Sequence, residues 1–164
     1  VWIELGLQTI HPHTADYIRR GYPLSVYDTA VCELHERGIE VITHVILGLP
    51  GETTDDMQAT ADYIAHQPIQ GVKFQLLHVL KGTDLYTDYL GQSFHTLTLD
   101  EYTDILIRCI ELMPPEMVIH RITGDGPKNI LAAPDWSRNK KQVLNHIHHC
   151  MKIRNTWQGR CYLQ

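Results

Sequence analysis

Apolar and polar positions along the chain alternate between two periods. "VWIELGLQT" (Val1–Thr9) is an apolar, β-branched run of the kind that forms a buried strand. "HTADYIRRG" (His13–Gly21) predicts a short helix ending at Gly21. "SVYDTAVCELHERG" (Ser25–Gly38) predicts a longer one, with Ser25 as N-cap, Val31, Leu34 and His35 at helical spacing, and Gly38 at the C-terminal cap. A second strand covers Ile39–Leu49. The helix Thr53–Gln67 follows, with Asp55 and Asp56 in its first turn and Met57, Ala61 and Ile64 as its apolar stripe. "GVKFQLLHVL" (Gly71–Leu80) is a third strand, and residues 81–95 are a polar connector. Leu99–Met113 is a strong helix, capped at its start by Asp100 and Glu101 and stopped by Pro114 and Pro115. Glu116–Gly126 predicts a fourth strand with a glycine-rich end, and a long helix begins near Ser137.

Strands alternating with helices imply parallel pairing through right-handed crossovers, in a barrel or an open sheet. Ligands in such folds sit at the carboxyl ends of strands. Here those ends are Leu7–Thr9, Gly48–Pro50, His78–Gly82 and Ile122–Asp125, and each carries glycine or polar residues. Residues 1–126 are expected to form the strand–helix units and 127–164 a helical extension.

Composition narrows the class. The 164 residues suffice for one domain with a real core. The net charge of −5 argues against strong nucleic-acid binding by the whole surface, although Lys128, Arg138, Lys140, Lys141, Lys152, Arg154 and Arg160 cluster late in the chain. No apolar run is long enough to span a membrane. The chain opens on Val-Trp-Ile-Glu, neither an initiator Met nor a secretory leader, which predicts an excised piece of a longer protein. Cys32, Cys109, Cys150 and Cys161 show no metal-ligand spacing. Cys32 and Cys109 read as buried thiols, and the usage fits a reducing cytoplasm. "HIHHC" places His146 and His149 on one helix face, which is too few ligands for zinc, so no metal site is expected in this chain.

The loop "HVILGLPGET" (His44–Thr53) joins a strand to a helix. It lacks the lysine of a Walker loop, and GxGxxG is absent. Gly48 and Gly51 can supply a tight turn that Pro50 stiffens. Its neighbours give it further meaning. "ELGLQT", then Arg20, "THVILGLPGET" and "LLHVLKGTDL" occur in that order. Together they resemble the second half of a radical S-adenosylmethionine (SAM) enzyme barrel, in the Elp3-like and oxygen-independent coproporphyrinogen oxidase-like branch. "VIHRITGDG" is similar to one subgroup of bacterial proteins in that branch.

The resemblance implies an α/β fold, the C-terminal part of a partial (β/α)6 TIM-like barrel with parallel strands and flanking helices. It implies SAM and a [4Fe–4S] cluster as cofactors. The family's CxxxCxxC cluster motif is absent from this sequence, so the chain alone is expected to be inactive. It further implies reductive cleavage of SAM to a 5′-deoxyadenosyl radical that abstracts hydrogen from a substrate, with tRNA as a candidate by analogy.

Glu4 and Gln8 match polar positions facing SAM, Glu4 having an internal ion pair as its other reading. Arg20 matches an arginine that pairs with the SAM carboxylate, and Arg19 competes for that match. Relatives often have Arg-x-His there, whereas this chain has Arg20-Gly21-Tyr22. His44 stands where relatives often place Asp, and it could equally be a hydrogen-bonded core residue. Gly48, Leu49 and Pro50 match the loop near the adenine, and Leu77 and His78 match the far side of that ring. His120, Arg121 and Asp125 are candidates for substrate contact, or for a rim salt bridge and turn. The other classes are a non-catalytic α/β binding domain with a SAM-shaped pocket, and an unrelated TIM-barrel hydrolase. No Ser/His/Asp set or carboxylate pair supports the hydrolase. A half-barrel with exposed edges is expected to self-associate.

Overall fold

Four strands carry the architecture because their apolar residues fall on one face. In the computed structural model, which describes residues 1–163, β1 (Trp2–Gln8), β2 (Glu40–Leu47), β3 (Gly71–Leu76) and β5 (Val118–Arg121) form one sheet in that order, all parallel. Between them run α1 (Pro12–Tyr17), α2 (Leu24–Glu36), α3 (Thr54–Ala65), α4 (Asp84–Leu90) and α5 (Leu99–Leu112). A second, antiparallel pair joins β4 (Val79–Leu80) to β6 (Leu131–Ala133); α6 (Lys140–Arg154) follows a 3-10 turn at Asp135–Arg138.

Local signals set the helix ends. Thr53 and Asp56 form a reciprocal capping box at the start of α3, and Thr98 and Glu101 form another at α5. At the end of α2, Gly38 takes φ +66; its N–H donates to the His35 carbonyl and that of Ile39 to the Leu34 carbonyl, closing a Schellman motif.

The core lies between the sheet and the helices. Leu7, Val41, Val45, Leu47, Val72 and Phe74 pack there against Tyr27 and Val31 of α2, Met57 and Ile64 of α3, Tyr102 and Leu106 of α5, and Val143 and Ile147 of α6. Each such fully buried side chain contributes roughly 1.5–3 kcal/mol. Thr43 is also buried on this face, where its hydroxyl meets that of Tyr27 at 2.7 Å.

Several expectations from the sequence are corrected. Cys109 is buried, but Cys32 is exposed, because the buried stripe of α2 runs through Tyr27 and Val31 and turns away at the next position. The third strand stops at Leu76, and Val79–Leu80 leave the sheet to pair with β6, an element that sequence periodicity did not reveal. The polar connector contains α4, capped by Thr83, whose side chain accepts from the N–H of Tyr86. Helix α2 begins at Leu24, so Ser25 lies inside it. The fourth strand covers only Val118–Arg121. No helix among the described residues is long and apolar enough to cross a membrane.

Candidate active site

A cleft of about 640 Å³ opens at the carboxyl ends of β1 and β2, beside the end of β3. Gly6 and Gln8 form one side, and Ile46, Leu49 and Leu77 form an apolar wall. Arg20 and Tyr22 enter from the α1–α2 connection. The mouth is bridged from α1 to α4: Arg19 pairs with Asp84 at 2.7 Å, and the Tyr17 hydroxyl donates to Asp88 at 2.6 Å. That bond to a carboxylate pushes the Tyr17 hydroxyl up to about 12.

Gln8 is the unusual residue of the cleft. Its φ is +65, a left-handed conformation that costs a non-glycine residue roughly 1–2 kcal/mol. The strain coincides with a bulge, since the β1–β2 register slips between Gly6 and Gln8. The Gln8 side chain folds back over Gly6, where an added Cβ would fall 2.9 Å from Nε2, and its Oε1 is buried with no partner. Arg20 holds this corner: Nη1 donates to the carbonyls of Leu7 (3.0 Å) and Thr9 (2.6 Å), and Nε donates to that of Tyr22 (3.0 Å). Its guanidinium lies 5.0 Å from the centre of the Tyr22 ring, and the Tyr22 hydroxyl donates to the Gly6 carbonyl. Arg20 thus spends Nε and Nη1 on backbone and leaves Nη2 for a ligand.

Deeper on the same face of the sheet, four polar side chains join across three strands. Lys73 Nζ meets Glu4 Oε2 at 2.6 Å, His44 Nε2–H donates to the same oxygen at 2.7 Å, and the Gln75 amide donates to His44 Nδ1 at 2.8 Å. The hydrogen bonds from Lys73 and then His44 hold the Glu4 carboxyl down at about 2. Behind the cleft, the Thr9 hydroxyl donates to Glu52, whose carboxyl is raised because burial disfavours its charge.

The sequence candidates therefore divide. Gln8, Arg20, Leu49 and Leu77 line the cleft, while Glu4 and His44 lie below it as an ion-paired group. Gly48 makes its turn at φ +88, facing Leu97, and Pro50 continues that turn. His78 turns away to pack on Gly124 and Gly126, with Nε2 buried and unpartnered. His120 lies over Gly71, and Asp125 pairs with Lys140 and Arg121. Lys73 and Gln75 were missed, although two polar residues alternating in "GVKFQLL" are a readable sign of a polar face. Tyr17, Asp84 and Asp88 gave no sign, because their pairing spans distant segments.

An apolar wall, an orphaned amide oxygen and an arginine with a spare nitrogen suit a nucleoside-like ligand bearing a carboxylate. Comparison with known proteins gives the family. The Radical SAM superfamily model matches residues 1–64, and the Radical_SAM C-terminal domain model matches residues 69–153. The chain belongs to the radical SAM superfamily. It is 41% identical over 162 residues to YtqA of Bacillus subtilis, covering 99% of this chain and 50% of that protein. It is 27% identical over 159 residues to a tRNA uridine(34) acetyltransferase of Dehalococcoides mccartyi, covering 93% of this chain and 35% of that one. The chain thus spans half or less of these curated relatives' length. Its fold is similar to that of an archaeal Methanocaldococcus infernus Elp3 with an N-terminal deletion, at a TM-score of 0.84 and 20% identity, covering 96% of this chain and 37% of that chain.

Among the described residues no group of three His, Cys, Asp or Glu side chains could hold a metal. Cys109 is buried and its thiol is pushed up to about 12 by that burial, the reverse of what a thiolate ligand needs. His146 instead meets Asp100 at 3.0 Å and Cys150 Sγ at 3.7 Å.

Proposed function

We propose that this chain is the SAM-binding C-terminal part of a radical SAM enzyme's catalytic barrel, with the cleft of Gln8, Arg20, Leu49 and Leu77 as the cofactor site. The observation that carries this reading is Gln8: a strained backbone and a buried, unpartnered amide oxygen at the strand ends of a radical SAM chain. Backbone strain and an unmade buried hydrogen bond both cost stability, and such costs collect where a ligand will use them. When bound, SAM supplies the hydrogen-abstracting 5′-deoxyadenosyl radical after one-electron reduction.

This chain's own residues bind and orient. The Gln8 amide meets a polar edge of the ligand, Arg20 Nη2 meets a carboxylate, and Ile46, Leu49 and Leu77 keep water from the apolar ring. Glu4, His44, Lys73 and Gln75 make a rigid polar floor in which Glu4 stays anionic at neutral pH. The [4Fe–4S] cluster is assigned to cysteines outside these 164 residues. A tRNA base is the substrate class favoured by the tRNA uridine(34) acetyltransferase relative.

The cleft supports one second reading, a domain that binds SAM without catalysis, because the residues that line it bind and orient. Calorimetric titration of the chain with SAM tests the binding common to both. Binding that Gln8→Ala and Leu77→Asp each weaken at least tenfold is expected, and no binding by the wild-type chain overturns the cofactor assignment. In the longer polypeptide that includes the cluster motif, reconstituted anaerobically and reduced, release of 5′-deoxyadenosine separates enzyme from binder.

A further inference from the structure

The basic residues late in the sequence do not form one patch. Arg154 turns to Asp104 at 2.7 Å, and Arg160 stacks 5.6 Å from the Trp157 ring. Lys128, Arg138, Lys140 and Lys141 instead line a separate groove of about 580 Å³, together with Gly124, Asp125 and Gly126. Four cations therefore face one anion of the lining, Asp125, on a chain whose net charge is −5.

The groove already grips an anion. Lys140 Nζ lies 2.9 Å from both Asp125 carboxylate oxygens, and Arg121 lies 4.0 Å from one of them. Arg138 ties the rim together by donating to the Lys128 and Leu131 carbonyls and to Asp135. Lys128 and Lys141 have no ion-pair partner among the described residues. Helix stability does not explain the lysines. Both α3 and α5 carry acidic residues in the first turn, where the helix dipole favours them, while α6 carries Lys140 and Lys141 and no acid. Two cations held against the dipole, in a groove with two further cations and one carboxylate, form an anion-binding arrangement.

Its position gives it meaning. Leu77 lines the cleft, and the next residue, His78, packs on Gly124 and Gly126 of the groove; a Cβ on Gly124 would fall 2.4 Å from the His78 ring. The Leu77–His78 step thus runs from the wall of the cleft to the glycines of the groove.

We propose that the Lys128–Arg138–Lys140–Lys141 groove is a phosphate-binding subsite that holds a phosphate of the molecule presented to the neighbouring cleft. The phosphate can belong to a nucleic-acid strand or to a small phosphorylated compound, and the chemistry of capture is the same. As a substrate subsite it rests on the cofactor reading of the cleft; as a phosphate site it does not.

The test uses the whole chain, a fluorescein-labelled single-stranded RNA dodecamer read by anisotropy, and inorganic phosphate read by ³¹P line broadening. For a strand held in the groove, Lys128→Ala with Lys141→Ala weakens RNA binding by about tenfold or more and lowers the salt slope by about 1.4, at about 0.7 per phosphate contact. Restoring charge with Lys128→Arg and Lys141→Arg recovers it, and Lys152→Ala with Arg160→Ala leaves it unchanged. Broadening of inorganic phosphate that the groove pair abolishes, without RNA binding, supports the site and assigns it to a small phosphate. Equal loss from the Lys128–Lys141 pair and the Lys152–Arg160 pair, or no response to either probe, overturns the proposal. Calorimetric SAM binding on the same variants, expected unchanged, distinguishes failure of the groove from failure of the cofactor cleft.

Discussion

On the helix side of the sheet, Val45 and Phe74 are almost wholly removed from solvent; one position back on the same strands, His44 and Lys73 hold the carboxylate of Glu4 on the opposite face. A strand alternates its side chains, so both faces were specified by one stretch of sequence, but they answer to different physics. The helix side is closed by α2, α3, α5 and α6, and its energy comes from apolar burial. The other side is half-open and polar, and its order comes from a chain of hydrogen bonds. Burial makes the first face intolerant of change. The second face carries a part-exposed network whose loss is expected to cost the fold far less.

Adjacent substitutions on β3 would break this comparison most directly. Phe74→Ala is expected to cost about 3–5 kcal/mol in urea unfolding, as a cavity in a closed core does. Lys73→Ala, one residue away, is expected to cost about 1 kcal/mol, since the Lys73–Glu4 pair is part-exposed on the Glu4 side. Similar costs for the two would mean that the faces do not differ in kind.

Gln8→Gly separates stability from binding. Glycine accepts φ +65 without strain but loses more chain entropy, so the unfolding free energy should move by no more than about 1 kcal/mol. SAM affinity should fall by about tenfold with the lost amide contacts. A stability loss of the Phe74→Ala size would make Gln8 a structural residue.

The smallest expected effect is a pH dependence. Lys73 and His44 hold the Glu4 carboxyl near 2, below its ordinary 4.5, so the folded state binds fewer protons in that window. The contribution is complete above about 4.5 and is lost as pH falls toward about 2. Urea unfolding across this range should show a shallower acid limb in Glu4→Gln, and added salt should reduce the difference between the two proteins. Glu52 has the opposite sign: burial raises its carboxyl, so it favours unfolding as pH rises through its folded value. Glu52→Gln should therefore relieve a stability loss above the ordinary carboxylate range, measured in the same titration.

Much of this was legible locally. The apolar runs of β1 and β2, the stripe of Met57, Ala61 and Ile64, and the glycine end of α2 depend on near neighbours, and they appear where the pattern puts them. Gln8, Arg20, Leu49 and Leu77 were picked out by resemblance to the radical SAM family, and the parallel strands and the loops after them bring these residues to one rim. Cys32 misled, since an apolar pattern does not say which edge of a stripe meets the core. Helix α4 was hidden in a polar segment, because it has no buried residue to mark a periodic face.

Other features required chain segments far apart in sequence to meet. The β4–β6 pair joins residues about fifty positions apart, and the Tyr17–Asp88 bridge crosses 71. The division of the late basic residues depends on the distant partner each one meets, Asp125 for Lys140 and Asp104 for Arg154. Periodicity and capping are encoded within a few residues, so the amino-acid order alone settles where the four parallel strands and the longer helices lie and which face forms the core. The polar floor, the mouth of the cleft and the groove beside it exist only once separate strands and loops converge, because a hydrogen bond or an electrostatic field acts through space and leaves no local period in the chain.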